Sequence, residues 1–153
     1  MSLDKDRFCQ IGLVVRDRDR TAALLGKLFQ TEPFGFHEGA PQEETGMELR
    51  GQPEDGNLRM AFLDLGQIQL EIMEPFGGKS TWQEFLDTRG EGIHHIAFRV
   101  DDAEEKIAEM EKDGFHLVQK GDFGTGRYAY FENDGQEGLG FMFEVLQIYA
   151  DDQ

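Results

Sequence analysis

Four short apolar runs, at 10–15, 67–73, 95–100 and 141–146, alternate with the period of two that suits a strand with one buried face. One face reads Ile11, Leu13, Val15; Ile68, Leu70, Ile72; Ile96, Phe98, Val100; and Phe141, Phe143, Val145. Every one of these is apolar, so this face has to leave water. The opposite face carries Gln10, Glu71, His95 and Glu144, together with Gln67, Gln69 and Arg99. If the four strands share a sheet, two carboxylates, an imidazole and an amide meet on its open side. On this reading Phe98 is a full core position under the helices, and its truncation to Ala costs roughly 3–5 kcal/mol.

The runs belong to a unit that occurs twice. Residues 10–17 match 95–102 in pattern at an offset of 85, which is 95 − 10, and an acidic turn and a helix follow in each copy. The first helix has Asp17 or Asp19 as its cap and an apolar stripe of Leu24, Leu25, Leu28 and Phe29. In the second helix, Ala103, Ile107 and Met110 form the stripe, Asp102 and Glu105 a capping-box-like pair, and Gly114 the stop. Arg59-Met-Ala-Phe62 resembles Arg127-Tyr-Ala-Tyr130, and each leads to a last strand that holds Glu71 or Glu144. The spacing therefore predicts an α+β fold of two tandem β-α-β-β-β modules forming a cupped mixed sheet around a metal site. A single domain spans 6–150, with module one at 8–76, a linker helix at 79–90 and module two at 92–149. Within the linker, Ser80 or Thr81 caps a helix whose one face is Trp82, Phe85 and Leu86. Residues 35–57 read as a loop or a mobile edge with a short strand at Met47-Glu48-Leu49, and 133–138 as a hairpin loop.

Charge and cysteine content narrow the partners. The net charge of −16 would repel nucleic acid and anionic membranes over most of the surface. No stretch approaches the ~20 apolar residues of a membrane span, and the N-terminus carries no apolar signal core. The single Cys9 allows no intrachain disulfide and fits a cytoplasmic location; beside Ile11 it reads as a buried, inert thiol. A polyanionic substrate would need a local basic patch, and Arg16, Arg18, Arg20 and Lys27 are the cluster able to supply one.

Singly, the polar four say little. A Gln that starts a strand is ordinarily an end residue, and Glu71 can be a solvated sheet side chain. Glu144 between Phe143 and Val145 needs a partner more urgently, because a carboxylate near a core is costly when unpaired. Adjacent strand residues point to opposite faces, which sets His94 on the apolar side and His95 with the other three. As a set, three oxygen donors and one nitrogen suit a divalent Zn, Co, Ni, Mn or Fe(II) ion with room for two further ligands. No closed Cys/His pattern, phosphate loop or nucleophile elbow competes with that reading.

The stretch 85–102, Phe-Leu-Asp-Thr-Arg-Gly-Glu-Gly-Ile-His-His-Ile-Ala-Phe-Arg-Val-Asp-Asp, with Gln69-Leu-Glu-Ile-Met-Glu-Pro75 and Phe143-Glu-Val-Leu-Gln147, resembles the vicinal oxygen chelate superfamily, and within it the methylmalonyl-CoA epimerases. The resemblance covers about 8–148 and implies metal ligands at Gln10, Glu71, His95 and Glu144. It implies an epimerase or isomerase acting on a carbon acid next to a carbonyl, with Glu144 and Glu71 also serving as base or acid and Arg99 holding a substrate carboxylate. An acyl-thioester or similar small molecule as substrate and a homodimer follow from the same resemblance. The chain departs from epimerases by having Gln10 where they have His, and Met60 where some have a carboxylate, with Glu48 nearby in sequence. The Gln-Glu-His-Glu set resembles some glyoxalase I lyases. An extradiol-type dioxygenase would need His at position 10, and a non-catalytic binding protein would not need all four donors.

Overall fold

The computed structural model describes residues 3–133 and 140–150. In chain order the first half gives β1 (Phe8–Val14), α1 (Arg18–Phe29), β2 (Phe34–Glu38), α2 (Gln42–Thr45), β3 (Glu48–Leu49), β4 (Gln52–Pro53), β5 (Asn57–Asp64) and β6 (Gln69–Phe76). After α3 (Thr81–Arg89) come β7 (Gly92–Arg99), α4 (Ala103–Lys112), β8 (Phe115–Asp122), β9 (Gly126–Asn133) and β10 (Met142–Ile148). The hairpin expected at 133–138 lies, beyond the backbone of Asn133, outside the described residues. Among them no helix is long and apolar enough to cross a membrane.

The strands form one mixed sheet in the order β2-β5-β6-β1-β7-β10-β9-β8-β3-β4. The two halves mirror each other across an antiparallel β1–β7 seam, and each seam strand runs parallel to the last strand of its own half, β6 or β10. This is an α+β fold, and its curled sheet is the cup read from the strand pattern. The four runs sit side by side at its centre, so residues from both halves can meet.

The helix caps form as their residues dictate. Asp17, Ser80 and Asp102 each accept the backbone N–H three residues on, from Arg20, Gln83 and Glu105. Helix α4 buries Ala103, Ile107 and Met110 against Ala129, Phe131 and Val145. Helix α1 departs from its expected stripe. It packs on the sheet through Ala22 and Gly26, with Leu25 half-buried, while Leu24 and Leu28 stand 63% and 67% exposed and Phe29 is also exposed. Pro33 lies so close to Gly26 that a Cβ there would come within 2.9 Å of its ring. The chain returning into β2 thus selects the small-residue face, and the bulky leucines turn outward.

The segment at 35–57 is ordered. It forms edge strand β2 and helix α2, then crosses to the far half, where β3 pairs with β8 through Glu48↔Lys120 and Leu49↔Gln119. Met47, Leu49 and Val118 make a small core beneath that junction.

The helix-facing face is buried unevenly. Val15, Leu70, Ile72, Val100 and Val145 are buried, but Ile11, Leu13, Ile68, Ile96, Phe98, Phe141 and Phe143 are half-buried. For Ile11, Leu13, Ile96 and Phe98 the reason is helix placement: α1 lies chiefly on β5 and β6 and α4 on β8, β9 and β10, with the seam strands β1 and β7 between them. Phe98 packs on the exposed ring of Phe8, with centroids 5.5 Å apart. Phe98→Ala is therefore expected to cost about 1–2 kcal/mol in chemical denaturation, below the ~3–5 kcal/mol of a fully buried Phe; a loss in the higher range would contradict the half-buried placement.

Candidate metal centre

Gln10, Glu71, His95 and Glu144 reach the concave side from the four central strands β1, β6, β7 and β10. The His95 ring is fully buried, and around its Nε2 lie Glu144 Oε2 at 2.8 Å, Gln10 Oε1 at 3.1 Å and Glu71 Oε1 at 3.8 Å. Gln69 accepts a hydrogen bond from Gln10 Nε2 at 2.6 Å, which leaves the amide oxygen of Gln10 turned toward His95. Glu144 Oε2 has no hydrogen-bond partner among the described residues despite its 2.8 Å approach to Nε2. It is close but not in line. A buried acceptor of this kind is costly unless something else satisfies it.

Two donors each ~2.1 Å from one divalent ion and at right angles to each other lie ~3.0 Å apart. The 2.8 and 3.1 Å separations fit that spacing, and Glu71 is the donor that would have to close in. Among the described residues no three His, Cys, Asp or Glu side chains make a metal cage on their own. With the Gln10 amide oxygen as a fourth donor, the set would close on an ion once Glu71 moves in.

A second layer fixes the imidazole. Strand alternation alone sets His94 on the apolar side, but a β-bulge, with Gly12 opposite His95 and Leu13 opposite Ile93, brings it to the concave side. Both rings flank Tyr130, at 4.9 and 5.0 Å, and their Nδ1 atoms face each other at 3.0 Å. The chain of contacts is satisfied when His95 Nδ1–H donates to His94 Nδ1 and His94 Nε2–H donates to Thr81 Oγ1, 3.1 Å away. His95 Nε2 is then the atom presented to the cup, the arrangement that suits a metal-ligating histidine. Thr81 is itself held by Gln119 Oε1, which accepts its backbone N–H at 2.8 Å. Gly12 lies directly under the His95 ring, and an added Cβ would stand 2.5 Å from Nδ1 and 2.6 Å from Nε2.

Burial and mutual charge set the protonation states. Burial raises the Glu71 carboxyl to about 7; the His95 imidazole opposes that shift, and the Glu144 carboxylate adds to it. Burial alone would keep His95 neutral, but Glu144, with Glu71 behind it, raises its pKa overall. His94 is pushed well down by burial, then by His95 and Arg89, and so stays neutral as an acceptor. Burial also pushes the Tyr130 and Tyr128 phenols up, so both remain protonated. Cys9 is half-buried rather than buried as expected; it donates to the Ala97 carbonyl, and burial, with the Glu144 carboxylate adding, raises it to about 11, which keeps it a thiol.

The cup is a cavity of about 670 Å³. Gln10, Glu71 and Glu144 lie at its base; Met60, Phe62, Trp82, Tyr128 and Tyr130 form walls, and the turn 123–125 and Glu44 of α2 reach its mouth. Trp82 Nε1 donates to Tyr130 Oη and Gln119 Nε2 to Tyr128 Oη, so α3 and β8 brace the wall. Glu48 is not among the lining residues, whereas Glu44 is. Arg99 does not line the cup either. It ends β7 beside Leu146, half-buried, and its Nε has no hydrogen-bond partner among the described residues. The basic cluster is spent elsewhere: Arg16 pairs with Glu91, Arg18 with Asp19 and the carbonyls of His37 and Met60, and Arg20 and Lys27 ride on α1, against the opposite face of the sheet. Sequence reasoning missed Glu44, Tyr128 and Tyr130 as cup residues; the pairing of Arg59–Phe62 with Arg127–Tyr130 was the signal that could have exposed the last two.

Residues 9–131 match the family model described as the Glyoxalase/Bleomycin resistance protein/Dioxygenase superfamily. An uncharacterized protein, YqjC, of Bacillus subtilis (strain 168) is 30% identical over 67 residues, 44% of this chain and 48% of that protein. The chain thus spans about half the length of the curated relative it matches. A solved methylmalonyl-CoA epimerase in complex with methylmalonyl-CoA and NH4+ superposes with a TM-score of 0.68 at 24% identity, covering 97% of each chain. Methylmalonyl-CoA epimerase from Mycobacterium tuberculosis gives a TM-score of 0.65 at 20% identity, with 98% of this chain and 95% of that one covered. At these identities the likeness is one of fold.

Proposed function

Because this chain belongs to the glyoxalase/bleomycin resistance protein/dioxygenase superfamily, we propose that it is a divalent-metal-dependent isomerase of the epimerase type, acting on a carbon acid next to a carbonyl. The observation that carries the reading is the meeting of Gln10, Glu71 and Glu144 around one imidazole nitrogen at the base of a cavity. Gln10, Glu71, His95 and Glu144 would hold the ion, which supplies Lewis-acid polarisation of two substrate oxygens. Gln69 and the His94–Thr81 chain keep Gln10 Oε1 and His95 Nε2 turned inward. Glu144, whose Oε2 has no hydrogen-bond partner among the described residues, is the carboxylate that would exchange between holding the ion and taking the α-proton, and Glu71 is the second carboxylate able to return one. The neutral Tyr128 and Tyr130 phenols and Trp82 line the space where water must be excluded. A homodimer belongs to the same proposal. A glyoxalase I-type lyase is the second reading, favoured by Gln in place of His at position 10.

A 2-substituted thioester is the first substrate to try, since the similar epimerase structure holds methylmalonyl-CoA. Purified protein with one equivalent of Zn or Co should exchange the α-proton of methylmalonyl thioesters with deuterated water. Glu144→Gln should lower exchange at least 10²-fold, because an amide cannot take the proton. Metal competition against a chelator should show affinity at least tenfold weaker in His95→Ala. Full occupancy in that variant would remove the four-donor site. Activity confined to a glutathione thiohemiacetal would move the protein to the lyase class.

A further inference from the structure

All 15 Lys and Arg residues lie at described positions, and none of them lines the cup. Its charged lining is acidic: Glu71 and Glu144 at the base, and Glu38, Glu44 and Asp122 toward the mouth. Arg59 answers Glu38, and Tyr149 donates to Asp122, but among the described residues no ion pair answers Glu44. The nearest cations on the β8–β9 side, Lys120 and Arg127, are both turned to Glu104. Between base and mouth the wall is apolar or aromatic, from Met60, Phe62, Leu146 and Ile148.

We propose that the cup selects by charge, admitting substrates that offer two chelating oxygens to the base and an uncharged or cationic apolar body to the walls, and rejecting bodies that carry an anionic group. The inference rests on the metal-dependent reading above for the chelating half, and on the cavity's own lining for the body. A divalent ion would offset Glu71 and Glu144 at the base and leave the carboxylates near the mouth in place. An anionic body entering there would lose its hydration and meet like charge, with no guanidinium or ammonium to replace the water. An aromatic or alkyl body loses nothing of that kind and gains contact with the walls. The anionic part of an acyl-CoA, its phosphorylated nucleotide, would accordingly contribute nothing to binding inside the cup.

Trp82 is the chain's one tryptophan and lines this cavity, so its fluorescence reports what enters. Zn-loaded protein should be titrated with benzohydroxamic acid, a neutral oxygen chelator, and with its 4-carboxylate and 4-trimethylammonium derivatives. The neutral and cationic probes should bind within threefold of each other, and the carboxylate at least tenfold more weakly. Glu44→Gln should recover at least threefold of that deficit. In parallel, the metal-free protein should be quenched with acrylamide, iodide and caesium, with iodide the least effective by at least fivefold. Equal affinity for the carboxylate probe, or iodide quenching equal to that of caesium, would overturn charge selection. Loss of all hydroxamate binding with iodide still excluded would instead overturn the metal-dependent reading and leave charge selection standing.

Discussion

Gly12→Ala is expected to weaken metal binding by about 100-fold while leaving the protein folded. The new Cβ would overlap the His95 ring, standing 2.5 Å from Nδ1 and 2.6 Å from Nε2, and backbone pairing holds Gly12 opposite His95. The ring cannot tilt away without breaking its contact with His94 or colliding with Tyr130, 5.0 Å off. Overpacking of this kind costs ~1–3 kcal/mol, and losing the alignment of a ligand costs at least as much affinity as the 10–100-fold seen when a supporting partner is removed. The check is a metal competition assay beside a thermal melt, on Gly12→Ala and on Gly12→Ala combined with His95→Ala. The double variant should regain stability relative to Gly12→Ala alone, because the ring that clashed is gone. Wild-type affinity in Gly12→Ala would mean the imidazole does not lie over Gly12.

The second large effect is a stability that falls with rising pH in the metal-free protein. Glu71 titrates at about 7 when folded against an ordinary 4.5, so the folded state holds its proton more tightly than the unfolded chain does. Its stabilising contribution is complete below about pH 4.5 and is lost as pH rises through 7, which amounts to on the order of 3 kcal/mol. His95 is also raised, and its contribution is likewise lost as pH rises above 6.5, with the same sign. For a chain of this size that is roughly 6–12 °C in melting temperature. General self-repulsion of a −16 chain has the same trend, so the measurement is the difference between the wild type and Glu71→Gln across pH 4–8. The difference should shrink toward pH 4.5 and grow toward neutrality. Saturating Zn should cancel it, because binding takes the deprotonated carboxylate. Parallel curves for the two proteins would show that Glu71 titrates normally.

The central strands were legible because a half-buried strand has only two faces, and one face of each run is wholly apolar. Parity alone then put Gln10, Glu71, His95 and Glu144 on one side, and the structure brings them together. Parity failed at His94, where the bulge adds a residue to β7 and restarts the alternation; no local feature of Ile93-His94-His95 marks an insertion relative to β1. The helices divided similarly. In α4 the apolar and buried faces coincide, but in α1 close approach through Ala22 and Gly26 outweighed the area offered by Leu24 and Leu28. Size of side chain was a poor guide there because Pro33 had already claimed the near side of the helix. Arg99 kept its place on β7 but does not line the cup, although Leu146 opposite it does. Glu44 could not be found, since its position depends on a crossing between halves that no local periodicity records.

That crossing has a consequence for how the protein is made. β3 pairs with a strand whose contact residue, Lys120, lies 72 positions later than Glu48, which is 120 − 48. At a synthesis rate of about 5–20 residues per second, the partner edge emerges roughly 4–14 s after β3 has left the ribosome. During that interval the first half of the nascent chain holds an unpaired hairpin and an unfinished cavity mouth. The charges around it are five acids, Glu43, Glu44, Glu48, Glu54 and Asp55, against the single Arg50. They would keep neighbouring copies on a polysome apart until the second half arrives to receive the strand.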